Sequence, residues 1–387
     1  MIVKVGVDEL ESLAIGAAIL GAGGGGDPYV GMLMAMRAIE EHGEVELLDP
    51  NKIPDDMFII PTAMMGAPTI MNERIPSGEE TVRSMRKLEK HLGRKADATM
   101  PIESGGINST MPFNVAARTG LPVVDADGMG RAFPELQMET FHIYGISGAP
   151  AVVSDERGNS CIIESVDNYQ LEWLARGITI RMGGASHLAE YAMTGEQVKR
   201  TGIHYSVSLA IKIGDAIRHA AKTGKTPLER VMEVTEETNY GKAIPLFRGK
   251  IIDIERQTTA GFAVGRVEIE GLDEYQGSRL SITFQNENLV AKVDGKVIAS
   301  VPDIISILDM ERALPITTEN LRYGFRVMVI GIPTPEIMRT PEALKVWGPR
   351  YFGYDFDFTP LELLHREYYR RARLPPEKEK KYRERLG

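Results

Sequence analysis

The sequence holds one cysteine, Cys161, in 387 residues. That excludes an intrachain disulfide framework and the cysteine-rich zinc modules, and it fits a reducing compartment. Histidine is scarce as well: seven residues, with no His-Glu-x-x-His pair and no close ligand spacing among His142, His187 and His204. Basic charge falls short of acidic, 45 Lys and Arg against 54 Asp and Glu, for a formal net charge of −9. A general binder of nucleic-acid backbones needs the opposite balance. No apolar run approaches the ~18 uninterrupted residues of a membrane span. The start, Met1-Ile2-Val3-Lys4, lacks the basic-then-apolar order of a secretion signal. A cytoplasmic protein is expected, with neither nucleic acid nor membrane as partner.

What remains is an ordinary globular composition, 43% hydrophobic, with an unusual 39 glycines. At about 150 residues per domain the length predicts two domains. In the first half, apolar runs at Val45–Leu48, Phe58–Ile60, Ala98–Ile102 and Leu121–Val124 alternate with helical periodicity at Leu10–Ala18, Val30–Ile39, Glu79–Leu92 and Pro112–Arg118. Asp8 with Glu11 reads as a capping box for the first helix. Alternation of this kind predicts a mainly parallel sheet covered by helices, with ligands beyond the carboxyl ends of the strands. Residues 140–165 read as further strands around the turn Asp155–Asn159, and Tyr205–Lys222 as a helix. From Lys250 the runs are short and β-branched, and Asp294-Gly295 signals a hairpin. The expected division is an α/β domain over residues 1–165, a helical connection and β-rich domain over 166–357, and a helical tail over 358–387.

The glycine run Gly21-Ala22-Gly23-Gly24-Gly25-Gly26-Asp27-Pro28 lies between two helices. A dinucleotide fingerprint needs a strand before it, and a P-loop needs a Lys-Ser/Thr pair where Asp27-Pro28 stands. Gly24, Gly25 and Gly26 expose backbone N–H groups suited to a carbonyl or oxyanion, or serve as a tight connector. Gly66 marks a second turn, at the end of an apolar run. Glu103-Ser104-Gly105-Gly106-Ile107-Asn108 and Asp125-Ala126-Asp127-Gly128-Met129-Gly130-Arg131 through Glu135 each open where an apolar run ends. Glu103, Asp125 and Asp127 are therefore expected on one rim, where paired acids do general acid–base work or bind a hard metal. Arg131 is their expected partner. Gly105, Gly106 and Glu135 are candidate substrate contacts, as are Asn286 and Glu287 at the end of a β-run in the second half. His187 is a candidate ligand or base. His142 sits in a strand-like run and reads first as a structural histidine.

In this order, Gly21–Asp27, Glu103–Asn108, Asp125–Glu135, Phe284–Asn288 and Pro302–Ile304 resemble the S-methyl-thiohydantoin desulfurase family over nearly the whole chain. The resemblance implies an N-terminal α/β domain with a β-rich C-terminal domain, and hydrolytic loss of the thiol from a five-membered imide-like ring. It implies metal assistance by a divalent ion such as zinc, although no ligand spacing of that kind stands out; the residues read as candidate ligands are Asp127, Glu103, His187 and His142. Glu103 or Asp127 would act as metal ligand or base, Arg131 and Asn108 would orient carbonyl oxygens, and the glycine amides would meet developing negative charge. A homo-oligomer, working beside a hydantoinase or oxoprolinase, is the expected setting. The rival expectation is a non-catalytic, ligand-binding subunit of such an enzyme.

Overall fold

Helix α1 (Val7–Leu20) begins one residue before the cap that the sequence suggests. Gly6 is its N-cap, and the Glu9 carboxylate accepts from the Gly6 N–H at 2.9 Å. Asp8 and Glu11 instead pair with Arg218 on the helix Ser206–Arg218. The two helices cross in close contact because Gly16 and Gly214 leave room for the other backbone: a Cβ on either would sit within 2 Å of a carbonyl oxygen, 1.8 Å from Ala210 O and 1.9 Å from Ser12 O. Here glycine serves packing. The computed structural model describes residues 4–66, 70, 76–259 and 262–366.

The first sheet is built on a parallel core. Strands β2 (Val45–Leu48), β3 (Phe58–Gly66), β4 (Ala98–Pro101) and β5 (Val123–Val124) lie in the order β2-β5-β4-β3. β1 (Lys4–Val5) adds to β2 antiparallel. Beyond β3 come β9 (Ala185–Ala189), β7 (Ala151–Ser154) and β8 (Ser160–Ile163), all antiparallel. The short β10 (Met193–Thr194) also pairs with β3, while β6 (Ala126–Asp127) and β11 (Ile203–His204) form a two-stranded ribbon of their own. β3 and β4 are buried along almost their whole length, as expected of central strands covered on both faces. Helices Glu79–Leu92, Met111–Thr119 and Asn168–Arg181 pack on them. The strand expected to stop at Ile60 runs on to Gly66, and residues 67–69 of the loop after it lie outside the described residues. Thr140–Ile143 is a helical turn, not a strand, so the alternation read at His142 does not place it on a sheet face. The strands expected around Asp155–Asn159 are β7 and β8.

The second sheet is antiparallel throughout: β12 (Ile244–Thr259), β13 (Phe262–Gly271), β14 (Arg279–Gln285), β15 (Glu287–Val293), β16 (Lys296–Ser300), β17 (Ile304–Asp309) and β18 (Arg326–Ile332), in the order β16-β15-β14-β13-β12-β18-β17. It curls until β15 touches β17. Leu280, Ile282 and Phe284 alternate inward on β14. Asp294 (φ 49°) and Gly295 (φ 84°) form the expected hairpin turn. Residues 166–243 supply β9 to the first sheet, so that sheet draws on chain beyond residue 165. Of the expected tail, Leu361–Leu364 is a short helix, and residues 367–387 lie outside the described residues. Among the described residues no helix is long and apolar enough to cross a membrane.

Candidate functional site

β3 and β4 run parallel, so their carboxyl ends open on one rim, where ligands bind in such sheets. A cavity of about 90 Å³ lies there, lined among others by Gly25, Gly26, Gly66, Glu103, Asn108, Phe133, Glu135, Asn286 and Glu287. That space holds several waters or a small ring.

Glu103 follows β4, is 4% exposed, and accepts from Asn108 Nδ2 at 2.8 Å. Asn108 is itself fixed on β3: its Oδ1 accepts from Met64 N at 2.7 Å and its Nδ2 also donates to Met64 O at 3.1 Å. Both ends of that amide are engaged, so Asn108 positions Glu103. Glu287 opens β15 and is 2% exposed. Burial pushes its carboxyl up to about 8, against the pull of Arg131 and of the Gly25 N–H. Burial, then the neighbouring Glu287, push Glu103 well above the ordinary carboxylate range. Two buried carboxyls this close do not both ionise near neutral pH. Glu287 Oε2 has no hydrogen-bond partner among the described residues.

The glycine run builds this arrangement. Ala22 O accepts from Asn288 N and Gly23 O from Thr318 N, both at 2.7 Å, while Gly25 O accepts from Ile107 N at 2.9 Å. The loop thus joins the two halves of the chain. A Cβ on Gly24 would lie 2.3 Å from Glu287 Oε1, and one on Gly106 would lie 2.1 Å from Gly25 O. Gly105 packs closely too, on Ala132 N. Gly24, Gly105 and Gly106 are therefore packing positions behind the lining, whereas Gly25, Gly26 and Gly66 face the cavity. Asn286 turns the chain between β14 and β15 at φ 58°.

The other expected acids point elsewhere. Asp125 Oδ1 accepts from Ser208 N at 2.9 Å and so caps the helix Ser206–Arg218. Asp127 is fully buried, with Oδ2 taking the N–H groups of Ser104, Gly130 (both 2.7 Å) and Met129 (3.3 Å). Burial raises it to about 6, but its work is to fold the two acidic motifs against each other. Arg131, expected to orient a carbonyl, does not line the cavity. It is fully buried, and its guanidinium donates to the carbonyls of Ala132, Pro302, Asp303 and Asn288. A group so engaged is a staple between the halves.

Nor do the four expected metal ligands converge. His187 Nδ1 meets Thr81 Oγ1 at 2.7 Å, and burial lowers its proton affinity to about 4. His142 Nδ1 lies 3.0 Å from Asn168 Nδ2, its ring edge-on to Tyr169. Among the described residues no three His, Cys, Asp or Glu side chains group to hold a metal. These residues do not fit a divalent ion.

Sequence reasoning missed two further acids. Glu139 and Glu190 are fully buried, and none of their carboxylate oxygens has a partner among the described residues. Burial first, and for Glu139 then Glu190, Asp127 and Glu103, push their proton affinities well above the ordinary carboxylate range. Nothing in their spacing marks them, because Glu190 follows a strand, β9, that the local sequence does not announce.

A crystal structure of a Chromobacterium violaceum protein superposes with a TM-score of 0.74 at 23% identity, covering 92% of this chain and 99% of that one. It is similar in fold. A stretch of 225 residues is 24% identical to the DNA-directed RNA polymerase subunit beta' of Azoarcus sp. (strain BH72), spanning 51% of this chain but 16% of that subunit. A match to so small a part of a much longer protein transfers no activity. Family models describing the S-Me-THD-like N-terminal and C-terminal domains match residues 8–165 and 166–361. The chain belongs to the S-Me-THD-like family.

Proposed function

We propose that this protein hydrolyses a small hydantoin-like ring, with Glu103 and Glu287 as its acid–base pair. The observation that carries the reading is two buried carboxyls, one from each half of the chain, lining one small cavity at the carboxyl ends of parallel strands. In the reaction considered, water adds to the ring carbon between the two nitrogens of an S-methyl-thiohydantoin. Its oxygen forms the new C–O bond as the C=N π pair moves onto the ring nitrogen and one water proton passes to the ionised carboxylate. The C–S bond then breaks as the C=O forms: the remaining hydroxyl proton ends on that ring nitrogen, and the protonated carboxyl supplies the proton that leaves with sulfur. The products are hydantoin and methanethiol, and the pair ends with one proton between it, as it began. Glu287 is the carboxylate and Glu103 the acid, because Arg131 and the Gly25 N–H favour charge on Glu287; with its carboxyl raised to about 8, the pair reaches this one-proton form as pH rises toward and past that value, and turnover should rise with it.

A zinc-like ion would supply Lewis-acid activation of the water, but the residues expected to hold it lie apart, so the proton steps belong to the carboxyls. The same reading has the ring product pass to a hydantoinase-type or oxoprolinase-type enzyme, with this chain as a homo-oligomer. Co-purification and light scattering check those two points.

The test is release of methanethiol from S-methyl-thiohydantoin. Glu103→Gln and Glu287→Gln should each lower turnover by about 10²–10⁴. Wild-type protein that binds the ring and releases no thiol would overturn the proposal in favour of a non-catalytic ligand-binding subunit.

A further inference from the structure

The small cavity shares its edge with a larger space. Glu135 and Arg176 line it and also line a groove of about 1000 Å³ on the outer side of the helix Asn168–Arg181. That helix buries Leu171, Ala175 and Thr179 on the sheet and turns Tyr169, Trp173 and Ile180 outward. Trp173 is 70% exposed, and a Cβ on Gly177, one turn on, would meet nothing within 4 Å. Phe262, at the start of β13, and Tyr351 form other walls. The groove is thus aromatic and open, and an apolar surface of this kind marks a binding region.

Arg176 stands at the junction. Its Nε is engaged by Glu172, its Nη2 donates to Pro134 O at 2.9 Å, and its guanidinium lies 5.0 Å from the Phe262 ring centroid. With its charge answered by Glu172, it offers the groove a flat cationic face against which an aromatic ring can lie. The cavity beside Glu103 and Glu287 accommodates little beyond a five-membered ring. In such a ring the carbon between the nitrogens lies across from C5. With the reacting carbon at the carboxyls, a C5 substituent points away from them and must leave the cavity.

We propose that this groove receives the C5 substituent, and that the ring substrates are those bearing an aromatic side chain there. The inference rests on the hydantoin reading, and the experiment separates the two. The full-length protein is assayed with S-methyl-thiohydantoin and with its 5-benzyl analogue, in wild type, Trp173→Ala and Phe262→Ala. An aromatic contact of this kind should favour the benzyl compound by about tenfold or more in kcat/KM. That preference should shrink severalfold in either variant. Because Trp173 is largely exposed, its truncation leaves the core intact. Turnover of the parent ring without benzyl preference, or with a preference that both variants keep, overturns the subsite and leaves the ring chemistry standing. Failure to turn over either compound overturns the ring reading and the subsite with it.

Discussion

Replacing Glu287 with glutamine tests the buried acid pair without any substrate. In the native state burial raises this carboxyl from 4.5 to about 8. In the unfolded chain it ionises in the ordinary range. Its folded-state value is raised, so its contribution to stability is fully present below the unfolded value and is lost as pH rises toward about 8. Each unit between the two values is worth about 1.4 kcal/mol. Between roughly pH 6 and pH 8 the wild type should therefore lose up to about 3 kcal/mol through this group alone, an upper bound once solvent relaxation is allowed for. The amide of the Glu287→Gln variant cannot ionise, so that protein escapes the loss, and part of the push on Glu103 disappears with it. Urea unfolding of both proteins across this range, with m-values checked for constancy, gives the difference directly. The variant should gain on the wild type as pH rises. A difference that stays constant within about 0.5 kcal/mol would refute the buried, proton-holding state of Glu287.

Other substitutions probe the frame around it. Gly24→Ala places a Cβ against the Glu287 carboxylate and should lower thiol release at least about tenfold, through an overpacking cost of roughly 1–3 kcal/mol; kcat against pH reads the displaced carboxyl. Arg131→Met leaves four carbonyls between the halves without their donor and should cost at least about 3 kcal/mol in urea unfolding. Asp125→Ala removes a helix cap and should cost about 1 kcal/mol, with turnover per folded molecule unchanged. His142→Asn should leave thiol release within about twofold, since this ring meets Asn168 and Tyr169 outside the cavity.

Local signals were legible in the sequence. The glycine run, the two acidic motifs and the Phe284–Asn288 turn all come to the meeting of the halves, and the hairpin at Asp294-Gly295 follows from its two positive-φ residues. Partners distant in sequence were not legible. Glu103, Asp125 and Asp127 each follow a run that ends at the rim, but side-chain direction is set by what packs nearby. Asp125 meets an incoming helix start, Asp127 meets three backbone N–H groups, and only Glu103 is left facing the cavity. Its true counterpart, Glu287, arrives from the other domain, which no spacing within the first half could reveal. Arg131 reads as a counter-ion because it sits beside acids; the carbonyls that claim it belong largely to the second sheet and the turn before its last hairpin. The start of the first helix is hidden for a local reason, since a glycine can be an N-cap when a glutamate three residues on accepts its N–H.

The bonds from the glycine loop to Asn288 and Thr318 bear on more than shape. Before the second sheet docks, neither carboxyl has the burial that chiefly raises its proton affinity, and Glu103 also lacks the Glu287 neighbour that raises it further. Each is then expected to ionise as an ordinary acid. On the proposed reaction, assembly of the two halves creates the reactive proton, so a nascent or half-folded chain should release no thiol, and thiol release would report that folding is complete.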